Sequence, residues 1–272
     1  ILSDYKPDSE LTRVCLTAHT RPVPVSSDLF TTLDAARRLS EATGGAFDIT
    51  LGPVIRLWRQ ARAAQHVPDP GALAGAARLC GYRKLVLDGA HRTVFLKLAG
   101  MQLDLGAIAK GYAADKALAV LRTHGIRSAL VAASGDLAIG DAPPGKPGWR
   151  VGIDSLDTPA SDFTRVLLLH NTAVSTSGDT EQYLETGGRR YSHIVDPKTD
   201  LGLTRRISVT IVASRGIDTD SLATAVSVLG AERGMKFIET KTRAAALIVT
   251  LGNGAARVRE SRRFRALGIS GL

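Results

Sequence analysis

Strand-like and helix-like stretches follow one another in this chain without regular alternation, and that mixture predicts the α+β class rather than a doubly wound α/β fold. Two further observations support it. No self-similarity recurs at a short period and no low-complexity linker interrupts the chain, so a solenoid or a string of loose modules is not expected. No apolar run approaches the roughly 20 residues that a membrane-spanning helix needs. The 272 residues suffice for a sizeable core without disulfides and read as one domain, 1–272, or as two intimately packed lobes.

The elements are justified in chain order. Ser9-Glu10-Leu11 stands where a domain would usually have an earlier strand, so residues ahead of Ile1 are expected to have been removed. Residues 26–43 carry a helical period: Leu29, Leu33, Ala36, Leu39 and Ala42 recur behind the capping candidates Ser26, Ser27 and Asp28, and Gly44-Gly45 ends the run. Residues 48–58 read as a turn leading into a second helix, 60–70 as a polar stretch ending in Pro68-Asp69-Pro70, and 71–79 as a short Ala-rich helix. Strands are expected over 85–88 and 93–98, joined by a turn at 89–92. Residues 102–105 read as a strand, 107–123 as a helix ended by Gly125, and 128–133 as a buried strand. Three prolines make 141–148 a surface loop. Strands follow over 149–154, 164–169, 173–177, 190–196 and 208–213, then helices over 217–229 and 231–239. A strand over 244–250 and a basic tail complete the chain.

The formal charge of +9 favours anionic ligands. A nucleic-acid partner is not expected, because basic stripes interleaved with aromatic residues are missing and no nucleic-acid motif is present. Cys15 and Cys80 lack any zinc-type spacing; they could form one disulfide or none, and two buried or half-buried thiols is the favoured reading.

Four segments carry chemistry. Asp104-Leu-Gly-Ala-Ile-Ala-Lys-Gly-Tyr112 reads as a strand end, a glycine turn and a helix start, where unpaired N–H groups attract a phosphate beside Lys110. An ordinary strand–turn–helix with Asp104 as cap explains it too, and Tyr112 stands where a Walker A loop needs lysine. Asp220 and Thr224 lie four apart, so on a helix they share a face; oxygen ligands with one carboxylate suit Mg²⁺. A plain capped helix accounts for Asp220 without a metal. Ala133-Ser-Gly-Asp136 follows a strand and reads either as a glycine turn against a ligand or as a simple hairpin turn. Finally, Ser177-Gly178-Asp179 and Tyr191–Pro197 flank Gly187-Gly188. That pair suggests a hairpin bringing Ser177–Asp179 near His193, a residue suited to general base work or to a hydrogen-bonded core position. A serine-hydrolase reading of Ser177, His193 and Asp196 lacks the Gly-x-Ser-x-Gly elbow.

In this order the segments resemble the ApbE family, the FAD:protein FMN transferases. The resemblance rests on Ser9-Glu10-Leu11, Gly45-Ala-Phe-Asp48, the whole of 104–112, Ser134-Gly-Asp136, Thr176-Ser-Gly-Asp179, Tyr191-Ser-His-Ile-Val-Asp-Pro-Lys-Thr199 and Thr219-Asp-Ser-Leu-Ala-Thr-Ala225. It implies an ApbE-like fold of mixed sheets and packed helices, with FAD between two closely associated lobes. The implied activity is Mg²⁺-dependent transfer of FMN from FAD to a Thr or Ser hydroxyl of a target protein, through a phosphoester bond, with release of AMP. FAD pyrophosphatase activity, or a non-catalytic flavin-binding and delivery protein, is the alternative, and a non-flavin phosphoesterase lies further off. By resemblance Mg²⁺ would be held by the carbonyls of Ala107 and Ala223 and the side chains of Asp220 and Thr224. FAD would meet Asp48, Asp104, Gly106, Lys110, Ser134, Gly135, Asp136, Ser177, Gly178 and His193. His193, Lys110 and Asp179 would be catalytic. The acceptor would carry a Ser/Asp-Gly-Ala-Thr-like motif. The location would be the bacterial envelope, periplasmic or lipid-anchored, with membrane contact only through an anchor since removed. Ser134 and Asp200 stand where the family usually has glycine, Thr180-Glu-Gln182 where aromatic or basic residues are common, and Cys15 where many members have asparagine.

Overall fold

The computed structural model describes residues 1–153, 156, 165–179, 182–252 and 255–267. Residues 154 and 164 at the ends of two expected strands, Thr180 and Glu181, and the end of the basic tail lie outside them. In chain order the elements are α1 (Glu10–Thr17), β1 (Val23–Pro24), α2 (Ser27–Ala42), α3 (Gly52–Ala64), α4 (Pro70–Ala77), β2 (Leu85–Asp88), β3 (Thr93–Leu96) and α5 (Ala109–Thr123). Next come β4 (Leu130–Ala133), β5 (Asp136–Ile139), β6 (Trp149–Ile153), β7 (Arg165–Leu169), β8 (Thr172–Gly178), β9 (Tyr183–Thr186), β10 (Arg189–Ser192), β11 (Val195–Asp196) and β12 (Leu201–Gly202). The chain continues through β13 (Arg206–Ala213), α6 (Gly216–Glu239), β14 (Ala244–Gly252), β15 (Ala255–Glu260) and α7 (Arg262–Arg265). The mixture of helix and antiparallel sheet is the α+β class the sequence predicts.

Two compact units divide these elements: residues 1–109 with 182–204, and residues 110–181 with 205–272. The first is built on helices. Ser9 Oγ accepts the Thr12 N–H and starts α1, and Ser26 Oγ accepts the Leu29 N–H and starts α2, so two serine caps set the N-terminal half. On α3, Val54, Trp58 and Ala61 recur at helical spacing and pack with Leu51, Leu73, Leu184 and Val195 into one core. The Trp58 indole N–H donates to the Asp200 carbonyl at 2.8 Å, which ties the turn after β11 to α3.

The second unit is built on a six-stranded antiparallel sheet of order β15-β14-β13-β8-β5-β4, with α6 packed on it. Residues 207–213 of the central strand β13 are all buried, as expected of a strand covered on both faces. The core gathers Ile139, Val174, Val212, Leu247, Phe264 and their neighbours.

Several expectations need correction. Residues 102–105 form one isolated bridge, Leu51 with Gln102, in place of a strand. The strand at 128–133 begins at Leu130 and is half-buried, because β4 lies at the sheet edge. The polar stretch from 60 is helical as far as Ala64, where Gln65 takes a left-handed cap conformation (φ 56°, ψ 34°) and its N–H donates to the Ala61 carbonyl. The strand expected over 190–196 is interrupted at His193-Ile194. The start of the basic tail is β15, paired with β14 from Leu247↔Glu260 to Gly252↔Ala255. The two helices expected on either side of Gly230 need no correction: within α6 that residue is non-helical (φ 78°, ψ 168°) and separates them, and Arg205 donates to the freed Ser227 carbonyl at 2.6 Å.

Candidate active site

Within the second unit, α5 and α6 approach each other backbone to backbone. A methyl on Gly111 would lie 2.0 Å from the Gly216 carbonyl oxygen, so only glycine fits. Each helix then caps the other. Asp220 of α6 accepts the Gly111 N–H at 3.0 Å, and Asp115 of α5 accepts the Gly216 and Ile217 N–H groups at 2.7 and 3.0 Å. Asp220 is thereby fixed at the start of α5.

Lys110 joins this junction. Its ammonium is paired with the buried carboxylate of Asp136 and lies 3.5 Å from Asp220 Oδ1. Burial works to lower the Lys110 pKa, but the charges of Asp220 and Asp136 outweigh it and hold the ammonium above its ordinary range. Burial, and then the charge of Asp136, push the Asp220 carboxyl up, against Lys110 and the Gly111 N–H. Asp136 opens β5 directly after the two-residue loop Ser134-Gly135, whose φ angles of 51° and 90° meet the requirement of a type I′ hairpin. The turn therefore keeps the glycine-type backbone although Ser134 has a side chain. Asp200, the other residue at a family glycine position, also has a left-handed φ of 59°.

Thr224 lies one turn beyond Asp220, its Oγ1 3.3 Å from Ser177 Oγ at the end of β8. Asp179 follows, buried and ion-paired with Arg206 at 2.8 Å. The oxygen-only donors Asp220 and Thr224 suit a hard divalent cation, and a positive group already stands beside Asp220. Ala223 fits that set least, since its carbonyl accepts the Ser227 hydroxyl at 2.9 Å. Among the described residues no group of three His, Cys, Asp or Glu side chains gathers as a metal site.

In the first unit, both oxygens of Asp104 are taken. Oδ1 accepts the Gly106 N–H at 2.8 Å and Oδ2 the Arg59 guanidinium at 2.6 Å. Arg59 also grips Asp4 and stacks on Tyr5, 4.4 Å from the ring centroid. Burial raises the Asp104 carboxyl, and Arg59 opposes it. Asp48 is likewise occupied: Oδ1 accepts Thr50 N–H and Oγ1–H at 2.8 and 2.6 Å, and Oδ2 accepts the Tyr82 N–H at 2.8 Å. Asp48 and Asp104 shape loops through these bonds. Ala107 lies between Gly106 and the start of α5.

The hairpin expected at Gly187-Gly188 forms, but it pairs Ser192 with Tyr183. His193 follows it in the first unit, its N–H bonded to the Gln182 carbonyl at 3.0 Å and its Nδ1 3.1 Å from the same oxygen. Ser177–Asp179 ends a strand of the second unit. Arg59, Asp115 and Arg206 were not singled out from the sequence. Only Asp115 left a trace there, four residues beyond Gly111 on one helix face. Both cysteines are free: Cys15 Sγ accepts the Leu103 N–H at 3.3 Å, and burial pushes the Cys80 thiol up to about 12.

The mixed fold of helices and antiparallel sheet, with the buried carboxylates of Asp136 and Asp220 facing Lys110 at a helix junction, defines the class: an α+β protein. The model of the ApbE family matches residues 1–248, and the chain belongs to that family. A Treponema pallidum protein named FAD:protein FMN transferase is 39% identical over 247 residues, covering 86% of this chain and 68% of its own. A protein of that name from Escherichia coli K12 is 30% identical, with 93% and 74% covered. The structure of flavin transferase ApbE from Vibrio cholerae superposes with a TM-score of 0.88 at 30% identity, over 98% of this chain and 85% of that one.

Proposed function

We propose that this chain, acting as one flavin transferase domain, moves the FMN half of FAD onto a Ser or Thr hydroxyl of an acceptor protein and releases AMP. The observation that carries this reading is the Lys110–Asp136–Asp220 cluster beside Thr224, in a chain whose residues 1–248 match the family model. The acceptor oxygen bonds to the FMN phosphorus as the bond from that phosphorus to the AMP phosphate breaks. The product is a phosphoester. His193 takes the hydroxyl proton. Lys110 offers positive charge to the phosphoryl oxygens. The turn at Ser134-Gly135 and the end of β8 at Ser177-Gly178 admit FAD closely, with Gly106 and the loops shaped by Asp48 and Asp104 completing its seat. Asp179, ion-paired with Arg206 at 2.8 Å, is the third catalytic residue of this reading.

Asp220, Thr224 and the carbonyls of Ala107 and Ala223 would hold Mg²⁺, which supplies a Lewis acid for the charge that builds on the diphosphate. The acceptor is proposed to present a Ser/Asp-Gly-Ala-Thr-like motif, and the protein to work in the bacterial envelope, in the periplasm or on a lipid anchor. Among the described residues no helix is long and apolar enough to cross a membrane.

The test is purified protein with FAD and Mg²⁺, with and without an acceptor peptide carrying that motif. A peptide mass gain equal to FMN, lost with EDTA or in His193→Ala, is expected. Free FMN without an adduct would instead mean FAD hydrolysis. Bound FAD with no product would mean a delivery module.

A further inference from the structure

We infer that Lys110 is a displaceable counter-ion, which occupies the charge of Asp220 until a divalent cation takes it over. The inference rests on the metal reading above and adds a competitor for the ion within the chain itself.

Three observations lead there. First, Lys110 lies in the first turn of α5, where the helix dipole disfavours a cation, so its position needs another cause. The carboxylates of Asp136 and Asp220 are that cause, with side chains only 4% and 3% exposed. Second, the two contacts are unequal. The ammonium is in direct contact with Asp136 and 3.5 Å from Asp220, so it can leave Asp220 while keeping Asp136. Third, the Lys110 side chain is 44% exposed, which opens a way towards solvent or a phosphate without disturbing the core. Two carboxylates and one ammonium leave a net charge of −1. An incoming dication makes the cluster positive and lowers the cost of releasing the ammonium. Lysine suits this exchange, because it is a point charge on a flexible stem.

The physical consequence runs against the usual effect of deleting an active-site residue: removing Lys110 should strengthen metal binding. The experiment is calorimetric titration of Mg²⁺ into the whole chain without FAD, for wild type, Lys110→Met, Asp136→Asn and the double variant. Lys110→Met should bind Mg²⁺ on the order of tenfold more tightly than wild type. In the Asp136→Asn background, where among the described residues Asp220 is the carboxylate left to the ammonium, the gain from Lys110→Met should be larger still. Thermal unfolding gives a second readout. Lys110→Met should melt lower than wild type without metal, and Mg²⁺ should raise its midpoint by more than it raises wild type's. Lys110→Gln repeats both measurements with a side chain that still hydrogen-bonds, should the methionine variant fold poorly. Equal or weaker Mg²⁺ binding by the Lys110 variants, or a gain that is the same in both backgrounds, would overturn the inference. A lowered midpoint with no larger Mg²⁺ response would do so too, by showing a purely structural lysine. FMN transfer assayed on the same wild-type preparation keeps the two readings apart: transfer together with unchanged Mg²⁺ binding in the variants sinks only the counter-ion.

Discussion

Two buried aspartates answer the same electrostatic problem in opposite ways. Asp104 is held by Arg59, whose planar fork also binds Asp4 and stacks on Tyr5, while its other oxygen takes a backbone N–H. Asp220 is faced by Lys110, which is shared with Asp136 and half in water. An arginine fork with several partners is a fixed clamp, whereas a lysine is a single charge on four rotatable bonds. The partner's chemistry separates a carboxylate that builds a loop from one that can take part in chemistry, although burial and pKa direction are alike for both.

The comparison can be broken at several points. The largest effect is expected at the junction that presents Asp220. Gly111→Ala places a methyl against the Gly216 carbonyl and should cost about 4 kcal/mol or more, read as lost soluble expression or a collapsed urea midpoint. Asp220→Ala should lower FMN transfer by on the order of 10²-fold or more in the peptide assay, whereas Asp104→Asn, which keeps the shape of the clamp, should lower it far less. Arg59→Lys should cost about 1–2 kcal/mol in urea unfolding, because one ammonium cannot span Asp4 and Asp104, and it should leave the Mg²⁺ response unchanged. An altered Mg²⁺ response in that variant would erase the distinction between clamp and exchangeable charge.

The smallest effect concerns an exposed control. Asn171 first, and then Arg127, hold the Asp141 carboxyl below its ordinary value. With the folded value below the unfolded one, its contribution is present at neutral pH and is lost as the pH falls through the folded value, below about 4. Asn171→Ala should move the Asp141 titration upward, followed by carboxyl NMR, without touching transfer.

Local features were legible in the sequence where local chemistry decides. The Ser26 cap with Gly44-Gly45, the glycine hairpin at 187–188, the break at Gly230 and the shared face of Asp220 and Thr224 depend on neighbours within a turn or two. Features decided at long range were not. Arg59 meets Asp104 across 45 residues, and nothing marks it among the other arginines. Residues 102–105 look like a strand, but among the described residues they make one isolated bridge, Gln102 with Leu51, beside the Asp104 N–H donating to the Ile49 carbonyl at 2.8 Å. The strand β15 escaped because it is an edge strand exposed from Ala255 to Arg259, with no buried apolar face to mark it in the sequence. Lys110 was singled out from the sequence, but there it stood alone beside a phosphate, without Asp136 and Asp220 as its partners.

The reciprocal caps between α5 and α6 carry an evolutionary consequence. Active-site groups commonly burden a fold, so that variants gain robustness by discarding them. Here the carboxylate proposed to serve the reaction also fastens a helix start, and its loss would weaken the scaffold as well as the chemistry. A lineage drifting towards an inactive copy would meet resistance from selection on foldedness alone, long before its output was missed.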